Sequence, residues 1–430
     1  MGTFQVGLLL IGTFALLLAL SVPVSVSIII SSVVTMASTL SLDLGTFVAS
    51  QRMVGGVDSF SLLAVPFYIL CGVLMNTGGI AQKLIDFAKI LVGRIPGGLA
   101  HTNILGNTLF GSLSGSSVAA SVAIGGVLIP MEEKEGYDKK FAAAVNIASA
   151  PTGLIIPPSG ILIIYPVLAG CSVVGMIMSG YIPGLMWALA CMVVAYVIAK
   201  KNHYPTAGKV PASVFFKYFV DAIPSLLLIV IIVGGVMSGI FTATESAAVA
   251  VLFLSIVVYR SIKIKDLPKI LLDACETTAV IMFLIAGSNV MSFVMSFTGL
   301  PSAIGNALIS VSSNKYVILL IINLVLLVVG CFMDITPAVL IFTPIFLPVV
   351  QSFGMDPIHF GIMMVMNLGI GNITPPVGSA LFSGCSVADM DMEDMIKPIL
   401  PFYAAIFVAL MLVAYVPWFS MALPTLFGAV

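Results

Sequence analysis

Residues 150–160 read APTGLIIPPSG, and this Gly- and Pro-rich stretch interrupts an otherwise continuous apolar run. A related stretch, LGIGNITPPVG, occupies residues 368–378, and Pro375 lies 218 positions after Pro157. The same offset relates further residues on either side of the two stretches: Gly136 with Gly354, Asp138 with Asp356, and Pro130 with Pro348. A register that is held over so many positions indicates an internal repeat, so we expect two structurally equivalent halves.

The composition excludes a soluble globular protein. Of the 430 residues, 60% are hydrophobic and 8% are charged, whereas soluble domains carry about 25% charged residues. Many uncharged stretches reach the ~20 residues that a helix needs to cross a bilayer core, and the ~10-residue alternating segments typical of barrels are not visible. The sequence therefore predicts an all-α polytopic membrane protein that is surrounded by lipid. Its net charge of −1 gives no indication of nucleic-acid binding.

Two apolar segments, residues 102–131 and 316–348, are predicted to form re-entrant helical hairpins. The first contains the run GSLSGSS at 111–117, whose residues favour turns and caps. One straight helix over this segment would be about 45 Å long, whereas two arms of ~12 residues each reach about half the bilayer. The tip of the second hairpin is predicted at GCFMDITP, residues 330–337.

Short polar residues at these interruptions are expected to cap the helices that start there. Ser116 or Ser117 suits the second arm of the first hairpin. Thr336, followed by Pro337, suits the second arm of the other hairpin. Ser159 suits the helix that resumes after the first Pro-Pro pair.

Ten further segments are predicted to cross the membrane, five in each half. Their bounds are 4–21, 24–41, 60–77, 141–170, 182–199, 221–239, 244–259, 275–297, 358–387 and 398–416, with the fourth and ninth broken at Pro-Pro. Amphipathic surface segments are expected at 79–101 and 300–315, and an uncharged loop is expected at 171–181.

The two halves are predicted to be inverted-topology repeats, residues 1–199 and 221–430, joined by a basic linker at 200–220. Five crossings is an odd number, so the second half would insert upside-down relative to the first. With the N-terminus outside, 15 of the 17 lysines and arginines lie inside, and only Arg52 and Lys315 fall outside. This asymmetry favours an outside location for both termini.

Asp334 is the most informative single residue, because it is the only ionisable group in the second hairpin and a carboxylate at membrane depth is costly without a partner. A cation ligand is its favoured role, and a helix cap is the alternative. Unwound backbone at membrane depth is typical of transporter sites for ions and anionic groups. Enzyme motifs such as HExxH, GxSxG or a Walker loop are absent, so we expect a transporter and not an enzyme.

The other polar residues are interpreted structurally. Glu245 is expected to cap the start of a span. The acidic run at 389–394 is expected to be a solvated turn, and the three histidines, His101, His203 and His359, are expected at surface or interfacial positions.

Several motifs resemble the large membrane subunit of the tripartite ATP-independent periplasmic (TRAP) transporters. They are GSLSGSS at 111–117, IPPS at 156–159, GIFT at 239–242, ESAA at 245–248 and GNITPPVG at 371–378. The resemblance covers essentially the whole chain, although Ala243 stands where the family often has proline.

The resemblance implies a Na⁺-coupled importer that works by an elevator movement in the bacterial inner membrane, with both termini periplasmic. It also implies a separate small membrane subunit and a periplasmic substrate-binding protein as partners. The implied substrates are organic acids such as C4-dicarboxylates or sialic acid, and the overall likeness leans towards the sialic acid type.

The repeat and the resemblance together give a hypothesis for at least two Na⁺ ions and a substrate. One ion is expected at Ser112, Ser114, Gly153 and Pro157, and the other at Asp334, Thr336, Gly371 and Thr374. The substrate carboxylate is expected near Ser114, Ser116, Ser159 and Asn372. Two alternatives remain: a stand-alone ion-coupled carboxylate transporter, and a non-transporting membrane scaffold or intramembrane enzyme.

Overall fold

The computed structural model describes residues 2–206, 212–258, 262–312 and 314–429, and every regular element within these ranges is helical. Two parts of the predictions lie outside the described residues. One is the part of the predicted linker that contains Lys209, and the other is Arg260, which was counted among the inside charges.

The helices of the first half are separated by short turns. They are α1 (Thr3–Ala19), α2 (Val24–Thr39), α3 (Leu42–Val57), α4 (Ala64–Thr77), α5 (Ile80–Val92), α6 (Gly98–Ser114), α7 (Ser117–Lys134), α8 (Lys139–Ser149), α9 (Thr152–Ile155), α10 (Ile161–Ala169), α11 (Val173–Ser179) and α12 (Tyr181–Lys201).

The second half repeats much of this order. Its helices are α13 (Ala212–Ile229), α14 (Gly235–Met237), α15 (Ala243–Val258), α16 (Leu267–Thr298), α17 (Leu300–Val311), α18 (Lys315–Phe332), α19 (Ile335–Ser352), α20 (Pro357–Asn372), α21 (Ser379–Val387), α22 (Met392–Tyr415) and α23 (Trp418–Leu426). A π-helical turn, Val230–Gly234, joins α13 to α14.

Six helices in the described ranges are long and apolar enough to cross a membrane. They are Val173–Lys201, Ser213–Met237, Leu267–Thr298, Lys315–Phe332, Ile335–Ser352 and Met392–Tyr415. Helix α3 and the segment Phe60–Met75 qualify together as a pair bent by 63°. The number of crossings and the inverted insertion of the halves stay predictions.

Both predicted helix–turn–helix units are present. Hairpin 1 consists of α6 and α7, and hairpin 2 consists of α18 and α19; each is longer than its predicted segment. Hairpin 1 turns at Gly115, whose φ of 63° lies in the left-handed region that favours glycine. The first arm starts at Gly98, so His101 belongs to hairpin 1 and is buried, which makes the prediction of a surface location wrong.

Two connecting segments of the first half contain helices that the sequence analysis did not predict. Residues 42–57, for which no element was predicted, form α3. This helix has 16 residues, so it is long enough to pass as a span only together with the segment after it. The predicted loop at 171–181 contains α11, which Ser172 caps by accepting from the backbone N of Gly175 at 3.0 Å.

Two further corrections concern the second half. Helix α13 begins at Ala212, inside the predicted linker, because Phe215 and Phe219 stack there and extend its apolar face. His359 is buried in α20, where its Nε2 lies 3.2 Å from the carbonyl oxygen of Ala414, so it is not a surface residue.

One helix in each half is interrupted by its Pro-Pro pair, as predicted. Asp138 caps α8 by accepting from Lys140 N at 2.8 Å, and Asp356 caps α20 by accepting from Ile358 N at 2.7 Å. Break 1, residues 156–160, separates α9 from α10, and break 2, residues 373–378, separates α20 from α21. Both Pro–Pro peptide bonds are cis.

The first arm of each hairpin crosses the broken helix of its own half at a pair of glycines. A Cβ atom on Gly153 would lie 2.2 Å from the Cα of Gly111, and one on Gly371 would lie 2.5 Å from the Cα of Gly330. Both distances are shorter than any real Cβ contact, so only glycine permits this approach of two backbones. The crossings place the hairpin tips beside the unwound segments.

The helices that follow the breaks pack against the opposite half. Helix α10 packs on α19 of hairpin 2, and α21 packs on α7 of hairpin 1. The buried side chain of Asn372 reinforces this exchange: its Nδ2 donates to Ser117 Oγ at 2.8 Å, and its Oδ1 accepts from Ala380 N at 3.2 Å. A single amide therefore joins the tip of hairpin 1 to both sides of break 2.

Alanine at a glycine crossing should destabilise the protein. For Gly153→Ala and Gly371→Ala we expect a loss of about 1–3 kcal/mol, because the new Cβ forces two backbones apart. Thermal unfolding in detergent measures this loss. Gly126→Ala is the matched control, since its Cβ would meet only a methyl group of Val387 at 3.9 Å. Equal midpoints for the crossing and control variants would contradict the close approach.

The Asn372 bridge should appear as an energetic coupling between the halves. Asn372→Ala should cost about 1–3 kcal/mol, because it removes a donor and an acceptor from buried partners. Ser117→Ala should cost less, and the double variant should be about 1 kcal/mol less unstable than the sum of the two single variants. Unfolding of the four proteins measures the coupling, and strict additivity would show that this hydrogen bond contributes nothing.

Candidate functional site

The tips of the two hairpins meet break 1 and Asn372, at the edge of break 2, around one cavity of 380 Å³. Five of the predicted site residues line it: Ser114, Ser116, Asp334, Thr336 and Asn372. Pro158 and Gly160 of break 1 complete this part of the lining. The repeat thus brings together residues that are more than 200 positions apart in the sequence.

The remaining predicted residues are not part of this lining: Ser112, Gly153, Pro157, Ser159, Gly371 and Thr374. Gly153 and Gly371 form the crossings described above. Ser112 Oγ donates to Leu109 O at 2.9 Å, and Thr374 Oγ1 donates to Ile370 O at 2.6 Å. Because each hydroxyl gives its proton to the backbone, its oxygen lone pairs remain available to a cation.

The structure confirms one predicted cap and corrects two. Ser116 caps α7 by accepting from Ala119 N at 3.2 Å. Gly160, and not Ser159, precedes α10, and Ser159 Oγ is buried without a hydrogen-bond partner among the described residues. Thr336 lies inside α19, whose N-cap is Asp334, because the backbone is already helical at Ile335.

Asp334 and Ser116 occupy equivalent positions, 218 residues apart, at the two tips. The Ser116 hydroxyl is used in its cap, whereas the Asp334 carboxylate makes no capping hydrogen bond and is exposed to the cavity. Asp334 is also the only charged side chain among the described residues that line the cavity. Its carboxylate oxygens are therefore free to bind a ligand.

Three helices begin at the cavity. The first residues of α7, α10 and α19 are Ser117, Ile161 and Ile335, and all three line it. Helix N-termini carry partial positive charge and unpaired N–H groups, and they stabilise anions. The cavity thus combines one carboxylate with three positive helix ends, an arrangement that suits a cation and an anion bound side by side.

Two polar lining residues from outside the hairpins and breaks were missed by the sequence analysis. Tyr68 on α4 and Thr277 on α16 face the cavity, and Tyr68 Oη is buried without a hydrogen-bond partner among the described residues. A tyrosine in an apolar span combines a packing ring with a polar atom that needs a partner. A lone tyrosine in this span could therefore have pointed to the site. The sequence alone, however, does not show which face of α4 is turned towards the protein interior.

Comparison with known proteins places this architecture in a family. Residues 11–419 match the model described as "Tripartite ATP-independent periplasmic transporter, DctM component". The uncharacterized protein YgiK of Salmonella typhimurium is 50% identical over 98% of both chains. The sialic acid TRAP transporter large permease protein SiaM of Vibrio cholerae is 39% identical over 96% of both chains.

A further relative is the C4-dicarboxylate TRAP transporter large permease protein DctM of Pseudomonas aeruginosa, which is 39% identical over 86% of this chain and 88% of its own. Among solved structures, the YdaH transporter of Alcanivorax borkumensis superposes with a TM-score of 0.66 over 89% of this chain and 90% of its own. At 12% identity this likeness shows the fold alone.

The predicted membership is therefore confirmed, and the prediction of a transporter instead of an enzyme is confirmed with it, since the named relatives are transporter permeases. This multi-pass membrane protein belongs to the DctM family, the large membrane subunits of tripartite ATP-independent periplasmic transporters.

Proposed function

We propose that this chain imports an organic acid and uses Na⁺ as the coupling ion. The supporting observation is the charge pattern of the cavity, in which Asp334 is the only charged side chain of the described lining. An anionic substrate would be repelled by this carboxylate unless a cation is bound next to it. Na⁺ at Asp334 offsets the charge and leaves the helix N-termini to attract the substrate carboxylate.

The ion sites are proposed where the glycine crossings bring the hairpins to the breaks. The first comprises Ser112, Ser114 and the backbone of residues 153–157, and the second comprises Asp334, Thr336, Gly371 and Thr374. Hydroxyl and backbone oxygens are the hard ligands that hard cations prefer, and the Ser112 and Thr374 hydroxyls have lone pairs to give. Only the second site has a carboxylate, so we expect it to bind Na⁺ more tightly.

The substrate is proposed to lie between the ion sites, with its carboxylate near Ser114, Ser116, Ser159 and Asn372. Of the relatives named above, SiaM is named for sialic acid and DctM for C4-dicarboxylates, and YiaN of Escherichia coli, 36% identical, is named for 2,3-diketo-L-gulonate. All of these compounds carry a carboxylate. Sialic acid is our first candidate. Because the chain is 39% identical to both SiaM and DctM, an uptake experiment must decide between sialic acid and a C4-dicarboxylate.

The proposed partners are those of the tripartite family, a small membrane subunit and a periplasmic binding protein that delivers the substrate. The chain is proposed to lie in the bacterial inner membrane with both termini in the periplasm.

We propose an elevator movement, because α10 and α21 each pack on the hairpin of the opposite half. Hairpins and broken helices that exchange partners in this way would move as one body. The alternative is a stand-alone carrier that needs no binding protein.

Uptake of radiolabelled sialic acid into proteoliposomes that contain this chain and its small subunit tests the proposal. The inward Na⁺ gradient and the purified binding protein are varied independently. Uptake that requires both supports the tripartite mechanism and the substrate. Uptake with Na⁺ alone favours the stand-alone carrier. If sialic acid is not taken up but another acid from a panel of carboxylates is, that acid is the substrate and sialic acid is not.

Replacing Asp334 should weaken the second ion site and shift the Na⁺ dependence of uptake to higher Na⁺ concentrations. Asp334→Asn keeps the shape and removes the charge, so uptake at limiting Na⁺ should fall more than about tenfold, the range expected for losing a charged ligand. Asp391→Asn, at an exposed residue before α22, is the matched control and should leave uptake unchanged. An unchanged Na⁺ dependence in Asp334→Asn would contradict the proposal of a second ion site at Asp334.

The unpartnered hydroxyl of Tyr68 should contribute to substrate affinity. Tyr68→Phe removes a single oxygen, so we expect the KM for substrate to rise about two- to tenfold, equivalent to one neutral hydrogen bond. Tyr196→Phe on α12, away from the cavity lining, controls for loss of a hydroxyl in general. A KM equal to that of the control variant would show that Tyr68 only packs.

A further inference from the structure

Glu132, in the last turn of α7, is fully buried, and neither of its carboxylate oxygens has a hydrogen-bond partner among the described residues. Its sequence neighbours Glu133 and Glu135 are exposed. Burial of an ionised carboxylate is strongly unfavourable unless a cation or several donors compensate it. Such a group is stabilised either by taking up a proton or by binding a metal ion.

The surroundings of Glu132 favour the proton. Asn103 on α6 is a polar side chain near enough to act on the carboxylate, and its Nδ2 is a donor without a hydrogen-bond partner among the described residues. Asn103 Oδ1 is already used, because it accepts from Asn107 Nδ2 at 3.0 Å. A metal ion would need several more oxygen ligands than this site offers, whereas a protonated carboxyl keeps one oxygen to accept from the Asn103 amide.

Charged and titratable groups near Glu132 do not neutralise it. Glu135 and Tyr137, in the turn after α7, act on it electrostatically, and neither is a cation. The helices packed against α7 carry further titratable groups, none of which makes a hydrogen bond or ion pair with Glu132 in the described structure: Lys83, Asp86 and Lys89 on α5, His101 on α6, Lys139 and Lys140 on α8, and Cys385 on α21.

A chain of buried polar side chains leads from this site towards break 1. Asn107 Nδ2 donates to Ser149 Oγ at 2.9 Å and to Asn146 Oδ1 at 3.0 Å. Thr152 Oγ1 donates to Ser149 O at 2.7 Å and lies 3.2 Å from Thr108 Oγ1. Thr152 directly precedes Gly153 of the first glycine crossing, so the network runs from Asn103, next to Glu132, to the backbone contact that holds break 1.

We propose that Glu132 is a proton-binding site at the base of hairpin 1, and that its protonation state controls the packing of hairpin 1 against α8 and α9. Hydronium in the solvent at the exposed residues 133–136 gives its proton to one carboxylate oxygen and becomes water, and the other carboxylate oxygen accepts from Asn103. Loss of the proton leaves a buried charge, which pulls the Asn103 amide and disturbs the network to Thr152. In the proposed orientation this end of hairpin 1 faces the cytoplasm, so the site responds to cytoplasmic pH.

Infrared difference spectroscopy of the reconstituted protein between neutral pH, at which exposed carboxyls are already ionised, and alkaline pH tests the site without substrate, Na⁺ or partners, so its failure is distinct from failure of the proposed transport. We expect the wild type to show the carbonyl stretch of a protonated carboxyl, which disappears on deprotonation. Glu132→Gln should lack this signal. Glu133→Gln and Glu135→Gln, at the exposed neighbours, are matched controls and should keep it.

A second variant keeps the test decisive if Glu132→Gln folds poorly. Asn103→Ala removes a donor that stabilises the charged carboxylate, so the pH midpoint of the carbonyl signal should move to a higher value. The proposal is overturned if Glu132→Gln retains the wild-type signal, or if the midpoint is the same in Asn103→Ala. It is equally overturned if the carboxylate bands respond to Na⁺ at constant pH and do not respond to pH.

Discussion

Two backbone contacts, Gly111 against Gly153 and Gly330 against Gly371, determine where the rest of the cavity lies. They let each hairpin reach an unwound segment whose polar groups must be satisfied within the protein. At break 2 the hairpin supplies partners directly, since Cys331 O accepts from the backbone N of Val377 and Gly378 at 3.2 and 3.4 Å. The tips then lie beside the breaks, and the helix N-termini at the tips face a shared space.

The breaks, the hairpin tips and several caps could be predicted because they depend on local chemistry. Proline, glycine and short polar residues act on their own segment of backbone. The motifs at the breaks also occur twice, 218 residues apart, so each prediction had support from two places in the sequence. The burial of His101 and the orientation of Tyr68 could not be predicted, because an apolar sequence does not distinguish the face towards lipid from the face towards protein. At the second tip, Thr336 before Pro337 fitted the cap pattern, yet the N-cap is Asp334, two residues earlier, and the helix starts at Ile335.

The two halves share a backbone plan but differ in the placement of carboxylates. Hairpin 2 has Asp334 at its tip, where hairpin 1 has Ser116. Hairpin 1 has Glu132 near its base, where the 218-residue offset leads to Val350, a fully buried apolar residue of hairpin 2. Asp334 and the buried Glu132 are therefore carboxylates without a counterpart in the other hairpin, the first at the cavity and the second at the opposite end. This asymmetry gives two similar structural units different electrostatic roles.

The packing of α10 and α21 on the opposite half bears on how such a chain could arise. A protein of half this length would have buried its post-break helix only by lending it to a second copy, as domain-swapped dimers do. Fusion of two such copies would turn a contact between molecules into one within a single chain. Once both surfaces were covalently linked, each hairpin was free to diverge, so a serine at one tip and an aspartate at the other became compatible with the same shared framework.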